Sequence, residues 1–142
     1  MRAVVTGGAG FIGSHLVKKL LSNGYYVTVL DDFSTGDMDN LEPHPNLMIE
    51  VRDITVDELP AIQFDTLFHL AAPVSVPESL EDPMKYWTGI CVGSRRVIDW
   101  AYEMGAKTVV AASTAAVYGD SIDVPLKESS QPQPMSPYAE FK

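Results

Sequence analysis

The chain has 142 residues, is 46% hydrophobic and 20% charged, and carries a formal charge of −9, which is ordinary globular composition with enough apolar material for one buried core. The acidic balance argues against a nucleic-acid or anionic-membrane partner, because phosphates would be repelled rather than neutralised. A single cysteine, Cys91, excludes an intrachain disulfide; with no visible signal peptide, and no apolar run near the roughly 20 residues of a spanning helix, the expectation is a cytoplasmic protein.

Arg2 to Thr6 predicts a short buried strand, apolar without alternation. Phe11 to Asn23 predicts a helix whose stripe is Ile12, Leu16, Val17, Leu20 and Leu21, stopped by Asn23-Gly24. A second strand runs from Tyr25 to Leu30 and ends in Asp31-Asp32, and a turn-rich connection follows to Asn46 with space for one short helical turn. Leu47 to Val51 is a third strand, ending at Arg52-Asp53, and Thr66 to Leu70 a fourth, running into Ala71-Ala72.

After a proline-marked loop, Asp82-Pro83 caps a long helix reaching about Met104. Its predicted apolar stripe is Trp87, Ile90, Cys91, Ser94, Val97, Ile98, Ala101 and Tyr102. Lys107 to Ala112 is a fifth strand, and Tyr118 to Pro137 reads as loop. Ser136-Pro137 then starts a helix, with so few residues after it that a lone turn is expected to lack stability. Alternating apolar strands and helices imply one α/β domain over residues 1–142, a parallel sheet with both faces covered.

Gly7, Gly10 and Gly13 follow a strand and open a helix. That spacing suits a turn that tightens, admits a pyrophosphate to the backbone and packs helix on strand, with phosphate oxygens at the positive end of the helix. Asp31 lies 18 residues beyond Gly13, placed to accept the hydroxyls of an adenosine ribose. With Asp32 it would repel a 2′-phosphate, which favours NAD over NADP; a solvated acidic loop is the alternative reading for both. Asp53 faces the adenine or merely caps its strand end. Ala71, Ala72 and Thr114 fall where ligands bind in doubly wound sheets. Tyr138 and Lys142, four apart, share a helical face, and the ammonium favours the phenolate of a tyrosine otherwise too weakly acidic to be a base at neutral pH.

The stretches Thr6 to His15, Leu30 to Gly36, Arg52-Asp53-Ile54, His69-Leu70-Ala71-Ala72, Ser113 to Gly119 and Pro134 to Lys142 together resemble the extended short-chain dehydrogenase/reductase superfamily, within it the NAD-dependent sugar-nucleotide epimerases of the UDP-glucose 4-epimerase type. The resemblance implies a Rossmann-like, doubly wound sheet of strand order 3-2-1-4-5 that binds NAD. It implies transient hydride transfer from sugar C4 of a UDP-sugar. Tyr138 would be the acid–base; Lys142 would bind the nicotinamide ribose and tune Tyr138; Thr114 would hydrogen-bond the sugar oxygen. Phe11, Ile12, Ile54 and Leu70 join the cofactor residues by the same carry-over.

Two departures stand out. Ile90 occupies the place where the family has an asparagine that organises the site, and such enzymes run to about twice this length. Residues 1–142 are therefore expected to be a cofactor-binding domain ending at the Tyr138/Lys142 motif, inactive alone, from a parent that dimerises through the Trp87–Tyr102 helix and the Tyr138 helix. Ala115-Ala116 argue against a 4,6-dehydratase, whereas a related decarboxylase or reductase stays open, as does a non-catalytic NAD-binding fragment. His15 and His69 read as structural residues, Trp87 and Trp100 as packing residues. No metal site is expected: zinc-ligand spacing is absent, and Asp37, Asp39 and Glu42 lack the calcium-loop pattern.

Overall fold

A computed structural model describes residues 1–121 and 124–142, so the loop read between Tyr118 and Pro137 includes two positions outside the described residues. The strands are β1 (Arg2–Thr6), β2 (Tyr26–Asp31), β3 (Leu47–Val51), β4 (Thr66–His69) and β5 (Thr108–Ala111). They form one sheet in the order β3-β2-β1-β4-β5, every pair parallel, as the resemblance implies. Thr6 lies level with Leu30 on one side and His69 on the other, so the central strands end together on one edge.

Alternation along β1 divides the core. Ala3 and Val5 pack with Val27, Val29 and the Val17, Leu20 and Leu21 face of helix α1 (Phe11–Ser22). Val4 points the other way, joining Leu30, Leu67, Val97 and Ala101 of helix α4 (Gly93–Glu103). Val4, Val5, Val29, Leu30, Leu67 and Val97 are wholly buried, each worth about 1.5–3 kcal/mol of apolar burial. That two-sided covering is why these strands read as continuous apolar runs.

The edge strand departs from this scheme. All four residues of β5 are exposed, because it pairs only with β4 and its far side meets no further element among the described residues. Ile12 also departs from its predicted place on the α1 stripe and is exposed. The first turn of α1 sits over the glycine loop rather than over a strand, with Gly13 packed on the backbone of Gly7 and Gly8, which leaves Phe11 and Ile12 facing outward.

The proline-marked loop holds a helix that the sequence reading missed, α2 (Val76–Glu81), capped by Ser75 with Pro77 in its first turn. Asp82 caps α3 (Pro83–Tyr86), and a π-helical turn (Trp87–Val92) joins α3 to α4. The π-turn adds a residue to the repeat and shifts the phase of the helix. Ile90, Val97, Trp100 and Ala101 are buried while Trp87, Ile98 and Tyr102 are exposed, so the predicted uninterrupted stripe is only half correct. Trp100 was absent from that stripe, yet its ring packs on Phe64 and its indole N–H donates to the Pro60 carbonyl at 3.0 Å.

The last helix, α5 (Pro137–Phe141), is not the unsupported turn expected. Ser136 accepts the Ala139 amide at 3.2 Å, Ala139 is buried, and two edge-on ring contacts dock the turn: Tyr138 on Tyr86 and Phe141 on Trp87. Tertiary packing supplies what an isolated turn lacks. Among the described residues no helix is long and apolar enough to cross a membrane.

Candidate dinucleotide and acid–base site

The turn from β1 into α1 is held by close backbone approach. Gly7 has a positive φ of 68°, and a Cβ there would lie 2.7 Å from the Ala71 nitrogen. A Cβ on Gly13 would lie 2.1 Å from the Gly7 carbonyl oxygen. Gly10 is different: its nearest obstacle is the Gly7 oxygen at 3.4 Å, so the space in front of it is open. Gly10 caps α1 without a side-chain hydrogen bond, and no acidic residue occupies the first turn. The amides of Phe11, Ile12 and Gly13 are thus orphan donors at the positive end of the helix, an arrangement that receives anions.

Asp31, at the end of β2, is buried rather than part of a solvated loop. Its Oδ2 accepts the Ala9 amide at 2.8 Å and its Oδ1 the Phe33 amide at 2.9 Å. Asp32 is exposed and turns its carboxylate onto the amide and hydroxyl of Ser34. Asp53 caps its strand end: Oδ1 takes the amide and hydroxyl of Thr55 at 2.8 and 2.6 Å. Ile54 beside it is buried, with its carbonyl bound by Arg96 at 2.7 Å.

Across the sheet, Thr6 ties the end of β1 to the segment after β4. Its Oγ1 accepts the amides of Leu70 and Ala71 at 3.2 and 3.3 Å and lies 2.7 Å from Nδ1 of His69. The other ring nitrogen, Nε2, hydrogen-bonds Ser94 Oγ at 2.9 Å, so His69 links Thr6 to Ser94. His69 is buried and neutral: burial chiefly, and the Lys142 charge secondarily, push its pKa down to about 4. Its structural reading therefore holds. Leu70, Ala71 and Ala72 are half-buried along this edge. Sequence reasoning missed Thr6 and Ser94, because contacts across 63 and 25 residues leave no local spacing to detect.

Tyr138 and Lys142 come to the same edge on α5. The Lys142 amide donates to the Tyr138 carbonyl at 3.2 Å, Ser113 Oγ donates to the Lys142 carbonyl at 3.2 Å, and burial lowers the Lys142 ammonium below its ordinary range. Thr114 caps a 3-10 turn (Ala115–Tyr118), its Oγ1 accepting the Ala116 amide at 3.2 Å. Among the described residues the Thr114 hydroxyl proton has no acceptor, so it can be given to a ligand oxygen. Beneath Tyr138 lies Tyr86, fully buried, whose hydroxyl donates to Glu78 at 2.9 Å and accepts the Ser75 amide at 2.9 Å. Lys142 thus lies by the ends of β4 and β5, its charge felt by His69 and its carbonyl held by Ser113, and Thr114 follows β5; Tyr138 stands on α5 with its ring against Tyr86, and Asp53 lies just beyond β3. Among the described residues no cluster of three or more His, Cys, Asp or Glu side chains could hold a metal ion.

The model of the NAD dependent epimerase/dehydratase family matches residues 3–142. A UDP-glucose 4-epimerase from Lacticaseibacillus casei is 38% identical over 145 residues, covering 100% of this chain and 44% of that protein. Two solved structures superimpose closely: UDP-glucose 4-epimerase with UDP-glucose from Thermotoga maritima (36% identity, TM-score 0.91, 100% of this chain and 48% of that one), and the Thermus thermophilus UDP-glucose 4-epimerase complex with NAD (33% identity, TM-score 0.87, 100% and 47%). The chain spans less than half the length of these relatives.

Proposed function

The chain belongs to the NAD dependent epimerase/dehydratase family, and from that premise we propose that residues 1–142 are the NAD-binding domain of a nucleotide-sugar 4-epimerase acting on a UDP-sugar. One observation carries the reading: the open, uncapped glycine loop that follows Thr6 and Lys142, whose charge reaches His69 level with Thr6, belong to one sheet edge, with Asp31 buried beside the loop.

The residues present fit the dinucleotide. A Cβ at Gly10 would fill the space that a pyrophosphate needs, and the amides of Phe11, Ile12 and Gly13 offer it donors. Asp31 uses two of its roughly four lone-pair sites on Ala9 and Phe33, which leaves acceptors for ribose hydroxyls. Asp32, Asp53 and Ile54 border the adenine end, while Leu70, Ala71 and Ala72 border the path to the nicotinamide. Bound NAD supplies a two-electron acceptor and donor. The protein's part is to hold and move the proton. Thr114 donates to the sugar oxygen, Tyr138 takes and returns its proton, and the charge of Lys142 favours the phenolate while its ammonium hydrogen-bonds the nicotinamide ribose.

A second reading, NAD binding without turnover, is favoured by Ile90. It is buried and apolar where the resemblance leads one to expect an asparagine, so it supplies no hydrogen bond to the site. Calorimetry with NAD tests the first part of the proposal: binding is expected, and no heat would remove the cofactor reading. Fusing residues 1–142 to the C-terminal half of a relative and assaying UDP-galactose to UDP-glucose conversion tests the second. Turnover supports the epimerase; NAD binding without turnover supports the alternative. The 142 residues alone are expected to bind NAD and convert nothing.

A further inference from the structure

Arg52 follows β3 directly, and its amide donates to the Asp31 carbonyl at 3.0 Å, so it stands at the adenosine end of the proposed site. Residues in register on parallel strands share a face. Glu50 is level with Leu30, and Arg52, two residues on, reaches back to Glu50 Oε2 at 3.4 Å. Asp31 points to the other face, onto Ala9.

Carboxylates crowd this corner, yet the guanidinium is poorly served by them. Asp31 is committed to two amides, Asp32 to Ser34 and Asp53 to Thr55; Glu50 alone meets Arg52, at the long end of hydrogen-bond range. Nε of Arg52 is shielded from solvent and, among the described residues, has no hydrogen-bond partner. The side chain as a whole is 40% exposed, so its plane is reachable while its inner donor is unsatisfied. A guanidinium answers two kinds of group, a carboxylate or phosphate met by its fork and an aromatic face met by its plane. A 2′-phosphate here would confront Asp31 and Asp32, which leaves the aromatic base.

We infer that Arg52 belongs to the adenosine subsite, the exposed plane of its guanidinium lying on the purine ring of the dinucleotide. This rests on the cofactor reading above. Cation–π contact of this kind favours a planar cation over a compact ammonium.

Calorimetry on the 142-residue chain with NAD, AMP and nicotinamide mononucleotide tests it, using Arg52→Met, which keeps the apolar stem, and Arg52→Lys, which keeps the charge. NAD and AMP are expected to bind about tenfold more weakly to both variants, nicotinamide mononucleotide equally to all three proteins, and melting temperatures to stay level. NAD affinity unchanged in Arg52→Met overturns the assignment while leaving the cofactor reading intact. Full recovery in Arg52→Lys overturns it too, since a point charge would then suffice, and so does a parallel loss for nicotinamide mononucleotide. A wild-type chain that binds neither NAD nor AMP overturns the cofactor reading and this inference with it.

Discussion

Asp31 accepts the amide of Ala9 at 2.8 Å across 22 residues of sequence, so the end of β2 braces the glycine loop that follows β1. The same carboxylate therefore holds the loop and borders the proposed ribose site. Asp31→Ala is expected to lower stability by about 1–3 kcal/mol, because two backbone donors lose a buried acceptor, and to weaken NAD binding as well. Asp31→Asn keeps the shape but turns an NH2 toward one of those donors, so it should recover little. Urea midpoints and NAD calorimetry check both; wild-type stability in Asp31→Ala would mean the brace contributes nothing.

Two glycines separate fold from binding. Gly13→Ala drives a Cβ to 2.1 Å from the Gly7 oxygen, a backbone clash costing about 1–3 kcal/mol or more. Gly10→Ala meets nothing nearer than 3.4 Å and should cost only about 0.5 kcal/mol as a poorer helix cap. NAD binding should nevertheless fall sharply in Gly10→Ala, since the methyl occupies the approach to the α1 amides. A folded Gly10→Ala chain that binds NAD normally would place the pyrophosphate elsewhere.

The sequence made the loop legible because strand, glycines, helix start and Asp31 all act within about 30 residues. Five strands and their order were legible too, through apolar runs and the family resemblance. What escaped was tertiary. Ser75-x-x-Glu78 carried a capping signature for α2, but Pro77 read as loop punctuation. No residue pattern marks the π-turn at Trp87–Val92, so the stripe on that helix came out of phase. The docking of α5 depends on Tyr86 and Trp87, some 50 residues earlier. The Thr6–His69–Ser94 chain joins three elements that only the fold brings together.

His69 gives the fold a pH dependence with a defined sign. Its folded pKa is about 4, against 6.5 for an unperturbed imidazole. Between those values the unfolded chain takes up a proton that the native state refuses. Stability from this group is thus complete above pH 6.5, falls as pH drops toward 4, and levels off below. The full change is on the order of 3 kcal/mol. Urea midpoints of wild type and His69→Asn from pH 7.5 to 3.5 check it: the difference between the two should shrink through that window. Parallel curves would show that His69 titrates normally in the folded state.

Tyr86 joins the mid-chain helices to the proposed acid–base. It is fully buried, holds the α2 cap through the Ser75 amide, shares Glu78 with Lys85, and presents its ring to Tyr138. Tyr86→Phe keeps the ring contact but strands the Ser75 amide and Glu78, at a cost of about 1–3 kcal/mol. Loss should be local before it is global, because α2 is short and α5 leans on it. Amide exchange at Ser75, Glu78 and Ala139 is expected to accelerate well before exchange in β1 and β2 changes. Tyr26→Phe, at a 59% exposed position, is the control and should alter neither. If Tyr86→Phe leaves exchange at Ala139 untouched, α5 is held by its rings and the Ser136 cap alone, and Tyr138 owes its position to α3 and the π-turn rather than to α2.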